Sequence, residues 1–150
     1  PGRYRIFDSL WIRGNYTYID SEQTSGPEAG QPLTDTAKHM GNAALEWAPN
    51  DIFSTQLTWE ARSKRFRDVD TDGNALYYKA YNVLHLGAQY RVSDQITING
   101  RVQNLLDRDF TSFQTTWTEN PDGSWTPTYL DDYNNKDKAR NFWLSLNLRF

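Results

Sequence analysis

Apolar and polar residues alternate with period two along several stretches of this chain, the pattern of strands with one face on an apolar medium and one on a polar medium. From about Asp8 to Asp20, Leu10, Ile12, Gly14, Tyr16 and Tyr18 share one side, while Arg13, Asn15 and Thr17 take the other. From Lys38 to Ala48, Gly41, Ala43, Leu45 and Trp47 alternate with Asn42, Ala44 and Glu46. From Ile52 to Arg65, Phe53, Thr55, Leu57, Trp59 and Ala61 oppose Ser54, Gln56, Thr58, Glu60 and Arg62. From Ala80 to Arg91, Leu84, Leu86, Ala88 and Tyr90 oppose His85, Gly87, Gln89 and Arg91. From Ile96 to Asp107, Ile98, Gly100 and Val102 oppose Thr97, Asn99, Arg101 and Gln103. In the last stretch, Asn141 to Phe150, the apolar side is Phe142, Leu144, Leu146, Leu148 and Phe150. No segment carries a strong 3.6-residue period, so the expected fold is all-β, with about six antiparallel strands.

The connections between these strands alternate in length. Ser21 to Asp35 is long and rich in Gly, Pro, Ser and Thr, whereas Ala48-Pro-Asn-Asp51 is a tight turn. A second long connection runs through Asp72-Gly-Asn74, Val92-Ser-Asp-Gln95 is again tight, and Arg108 to Lys138 is the longest. A soluble sandwich has no reason to sort its connections this way, but a membrane barrel does, with short turns at one rim and long loops at the other. In that frame Trp47, Phe53, Tyr90 and Phe150 mark one rim, and Tyr16, Tyr18, Trp59 and Phe142 the other, as two aromatic girdles.

Composition adds bounds. Of 150 residues only 37% are hydrophobic, yet 15% are aromatic, with six Trp and nine Tyr. Nothing approaches the roughly 20 apolar residues of a membrane helix, but a barrel strand needs only about 9–11 residues, half of them facing a polar lumen. The net charge of −3 argues against a nucleic-acid partner, and with no cysteine there is no disulfide framework or thiolate metal site. No export signal is visible and the first residue is Pro, so the expectation is the tail of a longer chain.

Val102-Gln-Asn-Leu-Leu-Asp-Arg-Asp-Phe110 resembles the V-x-N-L-F-D-x-x-Y segment of TonB-dependent outer-membrane receptors, with Leu106 in place of the common Phe and Phe110 in place of Tyr. Arg13-Gly-Asn-Tyr-Thr-Tyr-Ile-Asp20 and Glu46-Trp-Ala-Pro-Asn-Asp51 resemble other strands of the same family, within it the ferric enterobactin and colicin receptor branch. The resemblance implies the C-terminal part of a plugged outer-membrane barrel of about 22 strands, with plug and earlier strands outside this sequence. It implies uptake of a ferric siderophore as the function. Partners would be the rest of the receptor, the TonB complex, outer-membrane lipid and lipopolysaccharide, with colicin or phage as further binders. Phe142, Leu144, Leu146, Leu148 and Phe150 would then be the signal read by the barrel-assembly machinery. Arg13, Glu46, Glu60, Arg62, Gln89, Arg101 and Gln103 would face the lumen and touch the plug.

Candidate chemistry is sparse. Asp68-Val-Asp-Thr-Asp-Gly73 opens like a calcium-binding loop, but the twelfth position is Lys79 where Glu is required, so an acidic outer-loop hairpin with a Gly-containing turn is the stronger reading and no metal is expected. His39 and His85 lack ligand-spaced carboxylates, and no cofactor or catalytic constellation is expected. Lys64, Arg65 and Arg67 cluster beyond the third strand, either as a solvated loop base touching lipopolysaccharide phosphates or as attraction for an anionic ligand. Around the turn Asn120-Pro-Asp-Gly123, Trp117, Trp125, Tyr129 and Tyr133 form a hairpin or a stacking surface, two compatible readings. The competing readings of the whole are a structural or adhesive barrel without transport and a soluble all-β carbohydrate-binding module.

Overall fold

The computed structural model describes residues 2–111, 113–131 and 139–149. Its framework is one antiparallel sheet of seven strands: β1 (Gly2–Phe7), β2 (Leu10–Tyr18), β3 (His39–Trp47), β4 (Phe53–Arg62), β7 (Tyr81–Arg91), β8 (Ile96–Gln103) and β11 (Asn141–Leu148). Each strand pairs with the one before it in this order, so the sheet is a simple meander. Two separate hairpins stand on its long connections: β5 (Arg65–Val69) with β6 (Ala75–Tyr78), and β9 (Phe113–Glu119) with β10 (Trp125–Asp131).

The register carries the apolar face across every strand. Tyr4, Ile12, Leu45, Leu57, Leu86, Val102 and Phe142 are successive cross-strand partners. On the opposite face the same is true of Arg5, Trp11, Glu46, Gln56, Gly87, Arg101 and Trp143. A slip of one residue at any interface would exchange the two faces. The six expected strands are therefore present, each trimmed by a few residues at its ends, and β1 is an addition to them. Its alternation is interrupted because the register shifts between Arg5 and Phe7, leaving Ile6 as an extra residue and returning Phe7 to the face of its partner Leu10.

Tight turns are built by local capping. The Asn50 carboxamide oxygen accepts both the Ile52 and Phe53 N–H groups at 2.9 Å, which reverses the chain between β3 and β4. Beside it Trp47 and Phe53 meet edge to face at 5.9 Å, and Phe53 pairs with Tyr90. The two hairpins share one tip design. Asp70 and Asn120 each accept from a glycine N–H, of Gly73 and Gly123, and those glycines sit at φ 82° and 81°, where a side chain would be strained.

A single sheet has no interior, so buried residues are few. Among the described residues they are Ala37, Ala44, Arg65, Phe66, Val83 and Asn104. All but Ala44 belong to the end of the sheet where the long connections emerge. Asn104 closes that end. It is fully buried at φ 48°, its N–H donates to His85 Nδ1 at 3.2 Å, and its carboxamide bonds both the N–H and the carbonyl of Arg108 at 2.9 Å. Asp107 then accepts from the Arg140 backbone at 3.0 Å and its guanidinium at 3.3 Å, which ties the start of β11 to the end of β8 across the longest connection. The Asn104-Leu-Leu-Asp107 motif is thus a chain-reversal device.

Replacing Asn104 by Ala removes two side-chain bonds, and with them the local hydrogen bonding that offsets the strain of a β-carbon in the left-handed region, for a loss of about 2–4 kcal/mol. Asn104→Gly, which keeps the conformation, is expected to lose only about half of that. Denaturant midpoints of the folded protein measure the order; equal losses would contradict it.

Candidate functional site

The seven residues expected on the polar face all fall there. Arg13 pairs with Ala44, Glu46 with Gln56, Glu60 with Val83, Arg62 with Tyr81, Gln89 with Asn99, Arg101 with Gly87, and Gln103 with Asn141. The structure gathers some of them into ion pairs. Glu46 receives Arg13 at 2.8 Å and Arg3 at 3.1 Å, and the Arg3 guanidinium lies 4.9 Å from the Trp11 ring. Glu60 accepts the Tyr81 hydroxyl at 2.9 Å and faces Arg62 at 3.5 Å. Beside Gly87 lies a shallow depression of about 400 Å³, bordered by Glu46, Gln56, Gln89, Asn99 and Arg101 and by Trp11 and Trp47. Such a surface offers carboxylates, amides and guanidinium groups to whatever polar body lies against it.

Of Lys64, Arg65 and Arg67, the middle one does not present its charge to solvent. Arg65 is only 2% exposed, because its backbone bridges to Ala37 and its guanidinium bonds the Asp35 carboxylate at 3.0 Å. The same guanidinium lies over the rings of Tyr78 at 5.3 Å and Tyr81 at 5.8 Å. Instead of presenting charge to solvent, it fastens the first long connection to the second. Phe66, beside it, is 1% exposed against Tyr77, and its carbonyl accepts the Asp35 N–H. Lys64 is exposed, with Nζ 4.0 Å from the Tyr77 ring centroid. Arg67, half-buried, is the extra residue where the β5–β6 register shifts.

Trp117, Trp125 and Tyr129 are brought together. Trp117 pairs with Pro127 and Trp125 with Glu119, so all three aromatics and Phe113 occupy one face of the β9–β10 ribbon, each more than half exposed. The opposite face carries Thr116, Thr118, Thr126 and Thr128. Tyr133 lies outside the described residues, as does Phe150. The other expected assembly-signal residues, Phe142, Leu144, Leu146 and Leu148, line one exposed face of β11 opposite Val102, Gly100, Ile98 and Ile96. The residues that the sequence did not flag are Asp35 and Tyr81, which, with Phe110 of the family-like segment, join the long connections through contacts distant in sequence.

In the acidic stretch, Asp70 spends its carboxylate on the tip of its own hairpin. It accepts the Asn74 side chain at 3.0 Å and the backbone N–H groups of Asn74 and Asp72 at 2.7 and 3.0 Å. Those bonds, the Asn74 side chain first, hold its carboxyl below the ordinary aspartate range. A carboxylate whose folded value is depressed stabilises the fold above its unfolded value, and that contribution is lost as pH falls through the folded value. The hairpin tip is therefore expected to loosen only in acid, below the ordinary aspartate range. Asn74→Ala should raise the Asp70 value, read by NMR titration of its carboxyl carbon; an unchanged value would contradict this origin.

Comparison with known proteins agrees with this architecture. Residues 2–105 match the family model described as TonB dependent receptor-like, beta-barrel. An iron-regulated outer membrane virulence protein of Vibrio cholerae is 28% identical over 149 residues, covering 97% of this chain and 20% of that protein. The ferric enterobactin receptor of Pseudomonas aeruginosa is 28% identical over 154 residues, covering 97% of the chain and 19% of the receptor. A crystal structure of a ferric enterobactin receptor mutant from that organism superposes with a TM-score of 0.69 at 24% identity, over 97% of this chain and 21% of that one. The chain spans about a fifth of the length of the curated relatives it matches. The one-sided meander, its sorted connections and the family match place this chain in the TonB-dependent receptor β-barrel family of the bacterial outer membrane.

Proposed function

We propose that this chain is the C-terminal part of the barrel wall of a TonB-dependent receptor that takes up a ferric siderophore across the outer membrane. The observation that carries the reading is the pair of opposed faces running unbroken across seven strands, apolar on one side and polar on the other. The apolar side suits lipid, and the polar side a lumen filled by a plug. Two relatives named for iron regulation and for ferric enterobactin support the cargo class.

In this reading Arg13, Glu46, Glu60, Arg62, Gln89, Arg101 and Gln103 meet the plug, which a polar surface already arranged in ion pairs can grip without leaving charges unpaired. Phe142, Leu144, Leu146, Leu148 and Phe150 serve barrel assembly. At the outer end, Lys64 and Arg67 draw in an anionic iron complex, while Arg65 holds the loops that carry them. Trp117, Trp125 and Tyr129, and with them Tyr133, offer ring faces to an aromatic ligand. Binding is followed by transport driven through the TonB complex, with no catalysis in the barrel. The remaining strands, the plug and the TonB-engaging segment come from the same receptor, and lipopolysaccharide surrounds the outer rim. A soluble carbohydrate-binding module gains no support, since a one-layer sheet would leave its whole apolar face in water.

The test is uptake of radiolabelled ferric catecholate by iron-starved cells whose only siderophore receptor is the full-length protein. Uptake should be saturable and abolished by dissipating the proton gradient. Lys64→Ala with Arg67→Ala should weaken apparent affinity about 3- to 10-fold, mainly through a slower on-rate that is more salt-sensitive in the parent. Binding without energised uptake would favour a structural or adhesive barrel.

A further inference from the structure

We infer that Tyr81 is the joint that holds the three outer connections as one body and links that body to the polar face of the wall. Tyr81 opens β7 opposite Arg62, at the rim where all the long connections emerge. Each of its groups is committed to a different part of the chain. One ring contact is with Phe110 of the third connection, stacked at 4.9 Å with 30° between the planes. Another is with the Arg65 guanidinium of the second connection, 5.8 Å from its centroid. Arg65 in turn bonds Asp35 of the first connection at 3.0 Å. The hydroxyl donates to Glu60 at 2.9 Å, on the face that carries Arg62, Glu46 and Arg13.

The surroundings make these contacts obligatory. Arg65 is 2% exposed, so its guanidinium must be held by groups of the protein, the Asp35 carboxylate and the two tyrosine rings among them. Asp35 sits at φ 55°, and its own N–H is bonded to the Phe66 carbonyl at 2.9 Å, so the first connection enters the contact in one conformation. Phe110 is returned over Tyr81 by the closed loop between Asn104 and Arg108. The second and third connections therefore meet at one ring, and the first joins them through Arg65. Disturbing that ring is expected to loosen all three, the first by way of Arg65, whereas disturbing Phe110 should release one. This rests on the packing alone and does not depend on what the receptor carries.

Hydrogen–deuterium exchange of the full-length receptor in detergent tests it, read separately over residues 20–37, 63–79 and 105–111. Tyr81→Ala is expected to speed exchange about tenfold in all three segments, the effect of losing one desolvated ring contact. Exchange within β2, β3 and β4 should stay unchanged. Tyr81→Phe keeps the ring and should restore protection of the loops while releasing Glu60 alone. Phe110→Ala should speed only the third segment. If Tyr81→Ala does not assemble, Tyr81→Leu retains bulk without a ring face and should give the same three-segment pattern. Acceleration confined to the start of β7, or loops that respond to Phe110→Ala as strongly as to Tyr81→Ala, would overturn the inference.

Discussion

Everything in this chain depends on a one-layer sheet having its backbone hydrogen bonds satisfied within the layer while its two faces meet different media. A meander of antiparallel strands meets the first requirement between neighbours, and period-two alternation meets the second. The register then becomes the critical variable. Because Leu45, Leu57 and Leu86 are direct partners, a slip at any single interface would put leucines against a polar face and Glu46 or Gln56 against an apolar one. The tight turns fix that register. Asn50 does so by capping two successive N–H groups, and the extra residue at Ile6 does so by returning Phe7 to the correct side.

The sheet has no core of its own, and the chain compensates at the end where its connections are long. There the first two connections pack on Phe66 and Arg65, and the third is folded back by Asn104 and Asp107. The wall is thus a single layer, and the packing of the described residues is concentrated where the long connections emerge. This division suits the proposed receptor, whose wall would meet lipid and plug while the outer connections would hold ligand-facing residues in place. The β9–β10 ribbon, with four exposed aromatics on one face and threonines on the other, belongs to the third of those connections.

Most of the wall was legible in the sequence, because period-two alternation is a local property that burial on one face enforces. The sorting of connections by length was equally local, and together with the Asn104-Leu-Leu-Asp107 resemblance it pointed to the family now found. β1 was not legible, since the bulge at Ile6 places two apolar residues in succession and breaks the alternation. The β5–β6 hairpin was legible as an acidic hairpin with a Gly-containing turn, but the contacts that Asp35 and Ala37 of another connection make with its first strand were not. Arg65 was read as a surface charge for the same reason: nothing within its own segment shows that Asp35 and two tyrosine rings will cover it. Contacts made between distant segments leave no periodic trace.

The central claim is that the two faces of this sheet see lipid and lumen, and since these 150 residues contain no cysteine, single cysteines introduced among them can carry the labels. Single nitroxide labels at Leu45, Leu57 and Leu86, and at Glu46, Gln56 and Gly87, would be compared in the full-length receptor in bilayers for access to oxygen and to a water-soluble nickel chelate. Oxygen, which concentrates in lipid, is predicted to reach the leucine positions strongly and the chelate not at all, with the ratio reversing at each adjacent residue. Chelate access to Leu57 equal to that at Gln56, or no alternation between neighbours, would contradict the account.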